Sequence, residues 1–521
     1  MTSPVNVGAT TLDQSPSLDR SFFGHPRGLA TLFFTEMWER FSYYGLRPLL
    51  VLFMTAALAS GGFGFDRAEA SAIVGIYAAS VYLASLPGGW VADRLLGLRR
   101  AIQVGAVFIS AGHISIALSA FGGAKLPFFL GLILIVIGTG LLKPNISAIV
   151  GDLYPEGRAR RDAGFAIFYM GINIGATVGQ IVTGVLGEKV GWHWGFGAAG
   201  VGMLLGLLVY TLRAPKTLGN IGVEPTRDPD PARQARQERN VKLTLAVGLG
   251  VLVLAIVLVA TGAVSVSAAA IAESMTYVLG GTAVLYFVYI FAAGGLTSDE
   301  KKRVVVIFVL FLFAAVFWAA FEQAPTSLNL FARDFTDRQM GGFEVPATWF
   351  QSVNSGFIIL LSPLFAALWM TLGRRGIDLS SPAKFAMGLF LAGVGFWLMI
   401  APANAILEGG PGTRVAASWL VWSYFFQTLG ELFLSPVGLS SMTKLSPRKY
   451  VGQMMGIWFL ATAVGNLIAG LAGGHVDPSK LEQMPKLFTM TTLFLMGSAL
   501  LLALLIIPIR RMMATTHNTQ L

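Results

Sequence analysis

The stretch 35–50, TEMWERFSYYGLRPLL, belongs to a run at 28–57 long enough to cross a bilayer, yet it carries Glu36, Glu39, Arg40 and Arg47. At 100° per residue on a helix, those four side chains and Tyr43 fall within an arc of about 100°. An ionisable group facing lipid is costly, so this face must line water or charged partners. The alternative is a purely structural ion pair, Glu36 with Arg40 one turn apart, that serves packing alone.

The surrounding composition identifies the solvent. Hydrophobic residues make up 55% of the 521 and charged residues only 12%, against roughly a quarter charged in soluble domains, which excludes an ordinary soluble enzyme. Fourteen apolar segments are long enough to span, at 28–57, 67–95, 101–121, 126–153, 162–188, 192–212, 242–262, 269–293, 304–333, 346–373, 382–402, 414–445, 449–472 and 486–510. The chain reads as an all-α integral membrane protein, and an even number of spans puts both termini on one side. Of the 37 Lys and Arg residues, 26 fall in segments on the side of the termini, 8 fall opposite, and Arg40, Arg47 and Lys143 lie inside helices. That asymmetry assigns both termini to the cytoplasm.

The net charge of +10 resides mainly in short loops with no stripe of interleaved aromatics, so no nucleic-acid partner is expected. Cysteine is absent, which excludes disulfides and thiolate metal sites, and no metal site is expected. Residues 1–27 read as an uncleaved cytoplasmic tail, and 511–521 as a second. The polar, Pro-rich stretch 213–241 reads as a cytoplasmic linker. It leads into an almost charge-free helix pair at 242–293, which separates six helices at 28–212 from six at 304–510. Six plus six, with basic loops at Arg94–Arg100 and Arg374–Arg375, matches the repeated halves of the major facilitator fold, with two extra helices between them.

Other polar residues are scattered through the apolar runs: Lys143 and Asn173 in the first half, Glu322, Asn354 and Glu431 in the second. Tyr424, Thr428, Glu431 and Ser435 share one helix face. Two buried acids near two buried bases exchange partners when a proton neutralises a carboxylate, or else they stay as static pairs that fix register. Charges of both signs suit a zwitterion such as a short peptide better than a sugar. Asp93 beside Arg94, Arg99 and Arg100 reads either as a latch between helices or as simple positive-inside anchoring. His113 is expected to be a hydrogen-bonded structural residue. Pro144, Pro325, Pro363 and Pro436 permit kinks. No phosphate-binding loop, HExxH or GxSxG signature is present.

These residues resemble those of the proton-dependent oligopeptide transporter family of the major facilitator superfamily, in its bacterial form. EMWERFSYYG at 36–45 is similar to the family's ExxERFxYYG, and FYMGINIG at 168–175 to its FYxxINxG; GTGLLKPNISAIVGDLY at 138–154 and Gly430-Glu431-Leu432 agree with them. The resemblance implies a symporter that imports di- and tripeptides with protons by alternating access across the bacterial inner membrane. It implies that Glu36, Glu39 and Arg40 couple the proton together with Glu322, and that Tyr43 and Tyr44 lie beside the ligand. Arg47 resembles the first-helix base that pairs with the seventh-helix acid, here Glu322. Lys143 resembles the lysine that faces the substrate carboxylate and pairs with Glu431 as a second gate. Glu431 resembles the acid receiving the peptide amino group, with Asn173, Asn354 and Ser435 on its polar ends and Tyr82 and Trp458 as walls. Animal relatives place a histidine seven residues before a second-helix tyrosine; seven before Tyr82 stands Gly75. The expected partners are peptides, protons and membrane lipid, with the chain working as a monomer and no cofactor beyond the coupling proton. The alternatives are a carrier of nitrate or another small solute, although nitrate offers Glu431 no ammonium, and an integral-membrane enzyme, for which the sequence lacks a motif.

Overall fold

Long apolar segments can satisfy their backbone hydrogen bonds in lipid only as helices, and the chain is built accordingly. The structure, a computed structural model, describes residues 19–122, 124–154, 158–226, 229–376 and 379–514. The tail residues 1–18 and 515–521 and Arg227 of the linker lie outside the described residues. The first half contains α1 (Arg27–Thr55), α2 (Arg67–Val91), α3 (Leu98–Gly122), α4 (Lys125–Asp152), α5 (Arg158–Val185) and α6 (Trp192–Thr217). The intervening pair is α7 (Pro231–Ala260) and α8 (Ala268–Ala293). The second half contains α9 (Ser298–Phe321), α10 (Asn329–Phe335), α11 (Trp349–Arg374), α12 (Ser381–Leu398), α13 (Ile400–Gly409), α14 (Ser418–Leu445), α15 (Val451–Ala472) and α16 (Gln483–Ala514).

Among the described residues, twelve of the helical stretches are long and apolar enough to cross a membrane. The other two expected spans, α1 and α14, are helices of 29 and 28 residues, and theirs are the buried Glu36, Glu39, Arg40 and Arg47 and the half-buried Glu431 that lower their hydropathy. Three expected boundaries differ. The run at 304–333 is broken after Phe321, where Pro325 has no N–H to give the ladder, and resumes as α10. The run at 382–402 continues to Gly409 as α12 and α13. Helix also enters the expected linker from both ends, because α6 runs to Thr217 and α7 starts at Pro231, with Asp230 capping the Ala232 N–H at 2.9 Å.

Within the first half α1 packs on α5 and α6, and α3 on α4 and α6; within the second, α12 packs on α14 and α16, and α9 on α15 and α16. Two seams join the halves, α2 against α15 and α5 against α11. At the first seam a Cβ on Gly75 would stand 2.7 Å from the Asn466 carbonyl oxygen and 2.9 Å from the Gly470 Cα, so only glycine permits this approach. Helix α8 lies on the same seam. Glu69 of α2 accepts from the Ala268 N–H at 2.7 Å, and at the other end the Gly294 carbonyl accepts from Lys449 and from the Tyr450 hydroxyl. Helix α7 is largely exposed on its outer surface.

Candidate functional site

The polar face of α1 points inward. Glu36, Glu39, Arg40 and Arg47 are all at most 8% exposed. The Arg40 Nε lies 2.9 Å from Glu36 and 2.6 Å from Glu39, so two carboxylates share one guanidinium. These contacts are close but not aligned as hydrogen bonds, and both Glu39 oxygens lack a donor. The Arg40 guanidinium stands 5.5 Å from the Tyr43 ring centroid. With both acids ionised this group carries one net negative charge; a single proton makes it neutral.

Two turns along, Arg47 donates to Glu322 at the end of α9 and, at 2.8 Å, to the Asn466 side-chain oxygen on α15. This ion pair links the two halves. Lys143 and Glu431 are not in contact. The Lys143 ammonium rests 4.3 Å over the Tyr82 ring, and Glu431 accepts from Asn354 at 3.1 Å, which also donates to Thr428 at 2.9 Å. Of the two readings at Asp93, the latch forms no ion pair among the described residues, where Arg94 donates to Gln237 of α7 and Arg99 to the Gly219 carbonyl. His113 is fully buried and neither ring nitrogen has a hydrogen-bond partner, contrary to the expectation from sequence.

A cavity of about 1430 Å³ lies between the halves. Its first-half wall carries Glu36, Arg40, Tyr44, Arg47, Tyr82, Lys143 and Asn173; its second-half wall carries Glu322, Asn354, Glu431, Ser435 and Trp458. Glu39 and Tyr43 are not on its surface: Glu39 stands behind Arg40, and Tyr43 packs between Tyr44 and Tyr77. The cavity extends to Trp90, Asp93 and Arg94, on the arginine-rich face, where Trp90 is 38% exposed.

The opposite end is closed by contacts between the halves. Arg67 donates to Asp334 at 2.6 Å and to the Val476 carbonyl at 2.8 Å, and Asn329 donates to the Pro48 carbonyl at 2.8 Å. Glu188 accepts from the Ala347 and Thr348 backbone and the Thr348 hydroxyl. Lys189 donates to Glu344 at 2.6 Å, and this hydrogen bond holds the Glu344 carboxyl below the ordinary carboxylate range despite partial burial.

Some residues of this site carry no charge to draw attention in sequence. Asn466 is one. Others are Thr177 and Ser355, whose hydroxyls bond across the α5–α11 seam at 2.8 Å, and Gln180 and Gln351, which line the cavity with an unpartnered amide atom each. Polar residues recurring on apolar helices were the available signal, but a lone amide in a membrane helix serves packing as readily as binding.

The POT family model matches residues 99–487 of the chain. The peptide transporter YePEPT of Yersinia enterocolitica is 48% identical over 501 residues, covering 96% of this chain and 98% of that protein. A di-/tripeptide transporter of Lactococcus lactis subsp. cremoris is 40% identical over 456 residues, covering 86% and 89%. Among solved structures, a peptide transporter POT in complex with sulfate superposes with a TM-score of 0.87 at 40% identity, over 95% of this chain and 97% of that one. A POT family transporter in complex with 5-aminolevulinic acid superposes with a TM-score of 0.84 at 34% identity, over 94% and 98%. Two bundles with paired seams, a charged cavity between them, and these matches along nearly the whole chain make it a member of the POT family of multi-pass membrane transporters.

Proposed function

We propose that the chain imports di- and tripeptides with protons by alternating access across the bacterial inner membrane, its termini in the cytoplasm. The observation that carries this reading is the division of charge across the cavity. Lys143 and Arg40 stand on one wall and Glu431 with Asn354 on the other, between halves that meet along two seams. A zwitterionic peptide presents its carboxylate to Lys143 and its ammonium to Glu431, and its backbone to Asn173, Asn354 and Ser435. Tyr44, Tyr82 and Trp458 give its side chains apolar walls. The names of the peptide-transporting relatives agree with this substrate class.

The two charge groups on α1 then divide the work. Arg47 with Glu322 and Asn466 holds the outer end shut in the conformation described. Protonation of Glu322 removes half of that pair, and Arg47 keeps only the amide of Asn466. Glu36, Glu39 and Arg40 receive the coupling proton, because one proton neutralises that trio. Lys143 and Glu431 face each other across the open end, and their pairing belongs to the conformation in which that end closes. Dialanine, N-acetyl-dialanine and dialanine amide competing for labelled dialanine test the reading. Loss of competition on blocking either end supports it; equal competition by all three contradicts it.

A further inference from the structure

A second cavity, of about 620 Å³, lies outside the transport path on the arginine-rich face, between the start of α1 and the end of α6. Its rim holds Arg27, Arg213 and Lys216, and its wall holds Phe22, Phe34 and Leu212. Arg27 pairs with Asp19 at 3.2 Å, whereas Arg213 and Lys216 have no ion-pair partner among the described residues. The rim therefore carries uncompensated positive charge.

The wall below it is apolar and lipid-facing. Phe34 lies two turns below Arg27 on α1, about 10 Å along the axis, and Leu212 one turn below Lys216 on α6, about 6 Å. They are 37% and 60% exposed on the molecular surface. Positive-inside anchoring accounts for cations at this level, but not for a concave seat with an apolar floor running toward the membrane centre. The seat is also built. Arg160 donates to the Asp19 and Gly24 carbonyls at 2.6 and 3.0 Å, His25 bonds the Tyr154 hydroxyl at 2.9 Å, and the Phe22 ring lies 6.4 Å from that of Phe34. Phe23, at φ 48° and 81% exposed, is held out at the level of the headgroups by the same turn.

We propose that this cavity seats one anionic phospholipid of the inner leaflet, its phosphate on Arg213, Lys216 and Arg27 and its first acyl carbons on Phe22, Phe34 and Leu212. A free anion would use the rim alone; an amphiphile uses both rim and wall. Basic pockets at the cytoplasmic ends of membrane helices bind anionic headgroups in this way.

The test uses full-length protein exchanged into vesicles of palmitoyl-oleoyl phosphatidylglycerol or of phosphatidylcholine with the same chains, with retained lipid counted by native mass spectrometry. Phosphatidylglycerol is expected to be retained in preference, and Arg213→Gln with Lys216→Gln to cut its retention by about fivefold for each cation removed. Ala30→Trp, which fills the cavity without altering charge, is expected to lower retention as well. Dialanine uptake by each variant establishes that it is folded. A loss of similar size from Arg374→Gln with Arg375→Gln, on the same face but elsewhere, would mean unspecific attraction and overturn the proposal. So would unchanged retention in the cavity variants, or displacement of the lipid by millimolar inorganic phosphate, which would mark a free-anion site.

Discussion

Glu39 is fully buried behind Arg40 and reaches the cavity only through that guanidinium, so its charge state is read by the cavity indirectly. Glu39→Gln removes the proton acceptor and keeps the shape. It is expected to abolish proton-driven uptake and leave exchange of external for internal peptide measurable, because exchange needs no net proton movement. Full concentrative uptake by this variant would remove Glu39 from the coupling step. Lys143 acts on the ligand itself. Lys143→Ala is expected to weaken peptides with a free carboxylate by about 10- to 100-fold, the usual worth of a charge-assisted hydrogen bond. Carboxyl-blocked peptides are expected to change little, and equal loss for both kinds in a competition assay would argue against direct contact.

At the scale of elements, the seams decide which end is open. Gly75 lets α2 touch α15 near the closed end, and Gly75→Val is expected to force them apart. Spin labels at the outer ends of these helices should then report a longer distance in the variant, and an unchanged distance would show that the seam tolerates the added bulk. The glycine also explains a departure from the animal pattern, since backbone of α15 fills the space an imidazole would need. The Glu188, Arg338, Glu344 and Lys189 cluster closes the other seam at the same end. The carboxyl of Glu344 sits below its ordinary value of 4.5. Its contribution is therefore present above that pH and lost only as pH falls through the depressed value. Mild acid outside leaves this latch charged, and Glu344→Gln is expected to leave the pH profile of uptake unchanged; a shifted profile would place a proton sensor there. Most spans were legible in the sequence because apolar length in lipid admits only helix. The α1 face was legible because buried charge is rare enough to be informative. Pro325 was legible as one of four prolines that permit a kink, but not as the one where a helix breaks; the helical start of α7 in a polar stretch and the roles of Asn466, Thr177 and Ser355 were not legible. The roles of Asn466, Thr177 and Ser355 depend on which helices meet, and that is a property of the assembled halves.

At the scale of the whole molecule, the proposed cycle has the two bundles rock about the seams, with the same charge groups pairing or parting according to which end is closed. Arg47 and Glu322 are joined at the closed end, while Lys143 and Glu431 stand apart at the open one, as one cycle with two gates requires. An inward proton contributes about 1.4 kcal/mol per pH unit of gradient, and each net charge moved about 2.3 kcal/mol per 100 mV. One proton is thus enough for more than about tenfold accumulation of a neutral zwitterion. Helix α8 is tied to α2 at one end and to the start of α15 at the other, so in the proposed cycle it follows or limits the movement of both bundles. The most direct test of proton-coupled peptide import is uptake of labelled dialanine by the purified protein in liposomes. The liposomes are held acid outside and negative inside, and are compared with the same vesicles after addition of a protonophore. The account predicts accumulation above equilibrium that collapses with the protonophore. Uptake that stops at equilibrium and ignores the protonophore, or none above empty liposomes with folded protein, would contradict it.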